Sequence, residues 1–198
     1  TTDNGIRADT TAEALAALKP VFDRRYGSVT AGNASPLTDG GAAVLLMSEE
    51  AAKAAGLKPK AYIRGYAYAA LDPGEQLLQG PVLAAPMALK RAGLTLKDMD
   101  LVEMHEAFAA QVLSNLRGFE SQYWAERAGF SSPVGTVDRS KLNVMGGSVS
   151  IGHPFGATGA RITTTLVNDL QTSDKQFGIE SMCVGGGQGM AMVLERLS

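Results

Sequence analysis

Glycine is concentrated where the chain carries its rarest reactive side chains. Gly146, Gly147, Gly152, Gly156 and Gly159 surround His153, and Gly185, Gly186, Gly187 and Gly189 follow Cys183. Each glycine costs backbone entropy on folding, so such runs belong where the backbone must turn sharply or approach a ligand closely. The chain has only two histidines and one cysteine. The other histidine, His105, lies in Met104-His105-Glu106-Ala107-Phe108. A thiol and two imidazoles held on turning backbone are suited to acyl transfer, in which they exchange protons.

The totals narrow the setting. With 198 residues there is room for one domain or a domain and a half, and 45% hydrophobic content is ordinary for a globular core. A net charge of −2 with no long basic run leaves no electrostatic footprint for nucleic acid. One cysteine excludes an intrachain disulfide and points to a reducing compartment. Nothing reaches the ~18 uninterrupted apolar residues of a membrane span. The first residues show neither a signal h-region nor an initiator Met, and read as a chain starting inside something larger.

Along the chain, residues 1–10 are polar and predicted to be extended. Thr11 is positioned to cap a helix running to about Leu18, which Pro20 ends. Residues 27–41 read as loop. The apolar run Ala42 to Met47 reads as a buried strand, and Ser48-Glu49-Glu50 starts a short helix that Gly56 stops. A strand is predicted over 61–70 and a loop over 72–81. A helix with Pro86 early in it runs to about Ala92, before Gly93. A short strand, 101–104, leads directly into His105. A helix follows with Phe108, Val112 and Leu116 on one face. Another covers about 119–128 and ends at Gly129. Residues 131–152 read as irregular, 155–170 as a helix, and 177–184 and 189–195 as two closing strands. Strands alternating with helices argue an α/β fold.

Three segments carry the chemistry. Pro154 pushes His153 out of the α region, just ahead of a helix start. Cys183 ends an apolar strand, where a free cysteine is most often a small buried hydrophobe; the glycine hairpin beside it offers N–H groups for an oxyanion. His105 sits at a strand end, where α/β proteins place ligands, and Glu106 either orients a partner or begins the next helix. The glycine run at 185–189 leads into a strand, so it is no dinucleotide fingerprint, and 156–161 lacks the Gly-Lys-Ser/Thr of a P-loop. No short-spaced ligand pair supports a metal site.

As a set, Gly32-Asn33-Ala34-Ser35 with Asp39-Gly40, His105-Glu106-Ala107-Phe108-Ala109, Gly146-Gly147-Ser148 through Gly152-His153-Pro154, and Cys183-Val184-Gly185-Gly186-Gly187 resemble the C-terminal half of thiolases, in order and spacing. The likeness covers nearly the whole chain. Many thiolases carry Asn in the position of His105, and the His form resembles the degradative thiolases of trifunctional β-oxidation complexes. The resemblance implies a layered αβαβα architecture. Residues 1–38 would end the loop domain, 39–56 would be the last strand and helix of the N-terminal domain, and 57–198 would form the C-terminal domain. It implies that His153 activates a nucleophilic cysteine and that His105, with His153 and a water, forms one oxyanion hole. Cys183 would be an acid/base, the Gly185 N–H would serve a second hole, and Ser35 would lie near the pantetheine of coenzyme A. Coenzyme A would be a co-substrate, with no covalently bound cofactor.

One departure is large. The family's nucleophilic cysteine lies in the N-terminal half, and the single cysteine here matches the acid/base position. The chain is therefore expected to be inactive alone and to need a partner carrying that cysteine. The resemblance further implies a homo-oligomer, a hydratase/dehydrogenase subunit as a possible companion, and a cytoplasmic location, or the mitochondrial matrix in a eukaryote. Competing expectations are a biosynthetic acetoacetyl-CoA thiolase, a thiolase-derived assembly module without catalysis, a ketoacyl synthase, which generally lacks a cysteine matching Cys183, and a Cys–His hydrolase.

Overall fold

A computed structural model describes Asp3 and residues 5–197. The extended run expected over 1–10 falls partly outside these residues; within them, a turn forms at 8–9. In chain order the elements are α1 (Ala12–Ala16), α2 (Glu49–Ala54), β1 (Ala61–Ala70), α3 (Pro73–Gln76), α4 (Gly80–Ala92), β2 (Leu101–Met104), α5 (Ala109–Phe119), α6 (Gln122–Arg127), α7 (Ser148–Ile151), α8 (Thr158–Thr172), β3 (Phe177–Val184) and β4 (Gln188–Arg196).

The four strands form one mixed sheet in the order β1-β4-β3-β2. β1 and β3 both run antiparallel to β4, whereas β2 is parallel to β3, Met104 opposite Ser181. Period-two alternation divides the side chains between two faces. Ala191 and Val193 of β4, Val102 and Met104 of β2 and Ile179 of β3 join the core built on α4. Met192 and Leu194 of β4 and Leu101 of β2 pack with Leu166 and Leu170 of α8. A helix thus covers each face. α4 is buried along almost its whole length, from Gly80 to Pro86 and again at Ala88 and Leu89.

β2 lies at the sheet edge, where unpaired amides need partners. Leu142 and Asn143 supply them. Leu142 bridges Val102, and the Asn143 N–H donates to the Val102 carbonyl at 2.9 Å. The Asn143 side chain then acts as a surrogate strand: its Oδ1 accepts from Met104 N–H at 2.7 Å and its Nδ2 donates to Met104 C=O at 2.9 Å.

Several sequence expectations shift. Thr11 caps α1 as read, donating no backbone bond itself but accepting from Ala14 N–H, although the helix ends at Ala16. The helix with Pro86 begins at Gly80, with Pro81 in its first turn, so Pro86 is interior; burial on all sides holds a helix that proline would otherwise break. A helical turn, α3, interrupts the 72–81 loop, capped by Asp72. α6 begins only at Gln122, α7 lies within the supposedly irregular 131–152, and α8 starts at Thr158 rather than 155. The strand expected over 42–47 does not form: a strand needs a hydrogen-bonded neighbour, none of the described residues supplies one, and Leu45 and Leu46 stand exposed. α2 forms as read, with Ser48 accepting from Ala51 N–H.

Candidate active site

The site gathers at the C-terminal ends of β2 and β3. His105 continues β2, its N–H donating to the Ser181 carbonyl at 2.9 Å. His153 arrives from the loop between α7 and α8. The two imidazoles lie against each other, ring centroids 4.1 Å apart and planes inclined by 45°. Phe155 covers the other side of His153 at 4.5 Å.

Glu106 holds the loop that brings His153 in. Its Oε1 accepts from Asn143 Nδ2 at 2.6 Å and its Oε2 from Val149 N–H at 3.1 Å. Of the two roles the sequence left open for Glu106, it takes that of an orienting group; the next helix starts beyond it with Phe108 at the cap position. Gly147 is where this matters for sequence: a Cβ there would collide with the Glu106 carboxyl. Gly152 is the second constrained glycine, with φ of 98° and the Thr38 side chain occupying the space a Cβ would need.

Ser35 belongs to the same neighbourhood. Its N–H donates to Ala107 C=O at 2.9 Å, Ala34 bridges Phe108, and the next residue, Pro36, accepts from His153 N–H at 2.9 Å. The segment 33–36 is therefore stitched to both histidine-bearing segments.

Behind His105 lies a buried polar chain that sequence reading missed. His105 Nδ1 is 3.0 Å from Ser148 Oγ, and Arg161 Nη2 donates to that Oγ at 2.9 Å. Arg161 Nη1 stands 3.6 Å from Glu103 Oε1. Glu180 is buried on the same sheet face, 2.9 Å from the Thr163 hydroxyl. Burial pushes both carboxyls up to about 8; for Glu103 the Arg161 guanidinium opposes the shift, and for Glu180 the Thr163 hydroxyl does. The alternation of β2 was the available signal: Glu103 sits two residues from His105 and shares its face.

Both imidazoles are pushed toward the neutral form. Burial, then the His153 and Arg161 charges, lowers His105 to about 3, and burial and Arg161 lower His153. His105 Nε2 is fully buried and has no partner among the described residues. Cys183 is the penultimate residue of β3, the strand beside β2, and is buried; no hydrogen bond joins its thiol to either imidazole among the described residues. Burial pushes the thiol up to about 11. Gly185 is exposed just beyond it, with nothing crowding its Cβ position, ahead of the left-handed turn at Gly186 and Gly187. The structure thus brings His105, His153 and Ser35 together and places Cys183 and Gly185 at the same end of the sheet. No cluster of three or more candidate metal ligands occurs among the described residues, and no helix among them is long and apolar enough to cross a membrane.

The fold is a mixed sheet covered on both faces by helices, with paired histidines and a cysteine–glycine hairpin at the strand ends, and comparison with known proteins makes the class definite: the chain belongs to the thiolase family. The family model "Thiolase, C-terminal domain" matches residues 57–196, and "Thiolase, N-terminal domain" matches residues 1–50. Among relatives, it is 52% identical over 196 residues to the 3-ketoacyl-CoA thiolase of Yersinia enterocolitica, spanning 98% of this chain and 45% of that protein. It is 53% identical over 194 residues to that of Yersinia pestis, spanning 98% and 44%. Among solved structures, the Bacillus anthracis acetyl-CoA acetyltransferase superposes with a TM-score of 0.83 at 46% identity, covering 98% of this chain and 45% of that one. Human mitochondrial 3-ketoacyl-CoA thiolase, also solved in complex with CoA, superposes with a TM-score of 0.80 at 39% identity, covering 99% and 45%. The chain therefore spans about half the length of the relatives it matches.

Proposed function

We propose that this chain supplies the proton-handling half of a 3-ketoacyl-CoA thiolase, which splits 3-ketoacyl-CoA into acetyl-CoA and a shortened acyl-CoA in fatty acid β-oxidation. The carrying observation is the pair of imidazoles in contact, ring centroids 4.1 Å apart, one with a buried Nε2 that has no partner among the described residues. Residues 57–198 form the C-terminal domain in this reading, 39–56 the last segment of the N-terminal domain with helix α2, and 1–38 the end of the loop domain. The nucleophilic cysteine comes from a separate polypeptide segment, since Cys183 is the only cysteine here.

The reaction then divides between the two halves. His153 Nε2 takes the proton of the nucleophilic thiol. Its Nδ1 is 2.7 Å from Thr158 Oγ1, whose own proton is placed to reach Pro154 C=O at 3.1 Å, so Nδ1–H donates to Thr158 and Nε2 carries the free lone pair. The thiolate attacks the 3-keto carbon, the C2–C3 bond breaks, and the acyl group remains on the nucleophile as a thioester. The electron pair goes to the enolate of acetyl-CoA. Its oxygen rests on the hole formed by His105, His153 and a water, and its carbon takes the Cys183 proton. A thiol pushed up to about 11 is held as the acid this step requires. In the second half-reaction the coenzyme A thiol gives its proton to Cys183 and attacks the thioester, whose oxyanion meets the Gly185 N–H; the bond to the nucleophilic sulfur then breaks, and that sulfur leaves as a thiolate and takes back the proton held on His153. Ser35 contacts the pantetheine arm. The working enzyme is a homo-oligomer, with a hydratase/dehydrogenase subunit as its companion, and a free buried thiol suits the cytoplasm or the mitochondrial matrix.

A second reading, a biosynthetic acetoacetyl-CoA thiolase running the same groups in the condensing direction, draws support from the likeness to the acetyl-CoA acetyltransferase. One experiment addresses both. The chain is purified alone and with a polypeptide carrying the thiolase N-terminal part and its nucleophilic cysteine, then assayed for thiolysis of acetoacetyl-CoA and of longer 3-ketoacyl-CoA. Turnover only in the mixture, persisting on long chains, supports the degradative reading; turnover confined to acetoacetyl-CoA supports the biosynthetic one. Turnover by the chain alone, or none in a stable mixture, overturns the proposal.

A further inference from the structure

Ser148, Arg161 and Glu103 form a buried chain that starts at His105 Nδ1. None of the three touches a reacting atom in the mechanism above. Their hydrogen bonds nevertheless determine what His105 is able to do.

A serine hydroxyl has one proton to give and two lone pairs to receive with. Ser148 is fully buried, so water does not share its bonding. Among the described residues its Oγ has two partners: Arg161 Nη2 at 2.9 Å and His105 Nδ1 at 3.0 Å. A guanidinium is a donor only and keeps its proton throughout the protein range. Toward Arg161, therefore, Ser148 Oγ accepts. The hydroxyl proton has one acceptor left within reach, His105 Nδ1. A neutral imidazole that accepts at Nδ1 carries its proton on Nε2. Nε2 is the nitrogen that is buried and has no partner among the described residues.

We propose that the chain Glu103–Arg161–Ser148 is a positioning device that fixes His105 in the Nε2–H tautomer, making it a permanent hydrogen-bond donor into the site and never a base. This rests on the thiolase reading only for what the donor faces: the water and enolate oxygen of the first oxyanion hole. The tautomer itself follows from the hydrogen-bond geometry alone. Glu103 acts one step further back, setting the guanidinium against Ser148 at 3.6 Å from Nη1. The arrangement also separates two like side chains: His153, bonded through Nδ1 to Thr158, keeps its Nε2 as an acceptor, while His105, bonded through Nδ1 to Ser148, presents an N–H. Two neutral imidazoles in contact thus perform opposite tasks, and a proton is not exchanged idly between them.

The test needs neither substrate nor partner, so it fails or succeeds apart from the thiolase reading. With two histidines in the chain, long-range proton–nitrogen correlation on the uniformly nitrogen-15-labelled chain reads the protonation of each ring nitrogen directly, and His153→Gln assigns the remaining signals to His105. The expected result is a protonated Nε2 and an unprotonated Nδ1 on His105, unchanged from pH 8 to pH 5. In Ser148→Ala the ring loses its Nδ1 donor, and the ratio of the Nε2–H to the Nδ1–H form falls by about fivefold or more, the scale of one net hydrogen bond. In Arg161→Met the guanidinium no longer turns the Ser148 hydroxyl proton away from itself and toward Nδ1, so the same ratio falls although no atom touching the ring has changed. A merely structural role for Arg161 predicts no such shift in a chain whose amide spectrum is otherwise intact. The wild-type chain alone is decisive if either variant fails to fold: an Nδ1–H tautomer on His105, or an imidazolium at pH 6, overturns the proposal, as does an unchanged ratio in folded Ser148→Ala.

Discussion

Asn143 lies away from the reacting groups, yet replacing it with alanine should be among the most damaging single changes in the chain. Its side chain makes three hydrogen bonds: accepting from Met104 N–H at 2.7 Å, donating to Met104 C=O at 2.9 Å, and donating to Glu106 Oε1 at 2.6 Å. Met104 is 1% exposed, so in Asn143→Ala its two amide groups lose partners that water does not replace. Leaving each buried group unsatisfied costs about 1–3 kcal/mol, and losing the bond to the Glu106 carboxyl adds about 1.5 kcal/mol. The residue also sits at φ of 47°, a left-handed conformation that costs alanine about 1 kcal/mol more than glycine. The sum is about 4.5–8.5 kcal/mol, comparable with the whole stability of a marginal domain at about 5–15 kcal/mol. Equilibrium urea unfolding followed by circular dichroism measures the loss, and hydrogen exchange at the Met104 amide locates it. Asn143→Gly should recover about 1 kcal/mol by removing the backbone strain alone. Because Asn143 and Glu106 share a bond, Asn143→Ala and Glu106→Ala should couple by about 1 kcal/mol rather than add. A destabilisation below about 1 kcal/mol, with Met104 still protected from exchange, would refute the view of Asn143 as a surrogate strand.

Three further outcomes follow from the site. Cys183, buried and pushed up to about 11, should resist iodoacetamide at pH 8 in the native chain and label fully after unfolding; rapid native labelling would show a thiolate the structure does not hold. Glu103 and Glu180 stand at about 8 in the folded state against the ordinary glutamate value of 4.5, so the folded state binds more protons between those values and stability is lost as pH rises through that window. His105, lowered to about 3, acts in the opposite sense and weakens the fold only as pH falls below about 6.5, so the urea midpoint should drop from pH 6.5 to 8.5, and Glu180→Gln should flatten the slope. In the reassembled enzyme, single-turnover trapping should separate the roles: His153→Ala blocks acylation of the nucleophile, Cys183→Ser acylates but fails at carbon–carbon bond chemistry, and His105→Ala loses ~10²–10³ in turnover, with His105→Asn losing less. Normal acylation by His153→Ala would break that assignment.

The sequence by itself determined the class of fold and where the chemistry would gather. Short apolar and tyrosine-bearing runs between loop and helix signals located the four sheet strands, because strand length and flanking breakers are local properties. Glycine punctuation located the loops around His153 and Cys183, because few other residues adopt those backbone angles. Local signals of this kind are carried by a few neighbouring residues, and they marked His105, His153, Cys183 and Gly185 as candidates. What tertiary structure alone decided is how distant residues meet. Ser148 reaches His105 across 43 positions, and Asn143 pairs with Met104 across 39, contacts that no sequence spacing announces. Pro86 inside α4 was misplaced for the same reason: burial of the helix overrides the local preference against interior proline. The run 42–47 failed in the other direction. Its apolar composition suits a strand, but a strand is a relation between two segments, and among the described residues the second is not there to make it.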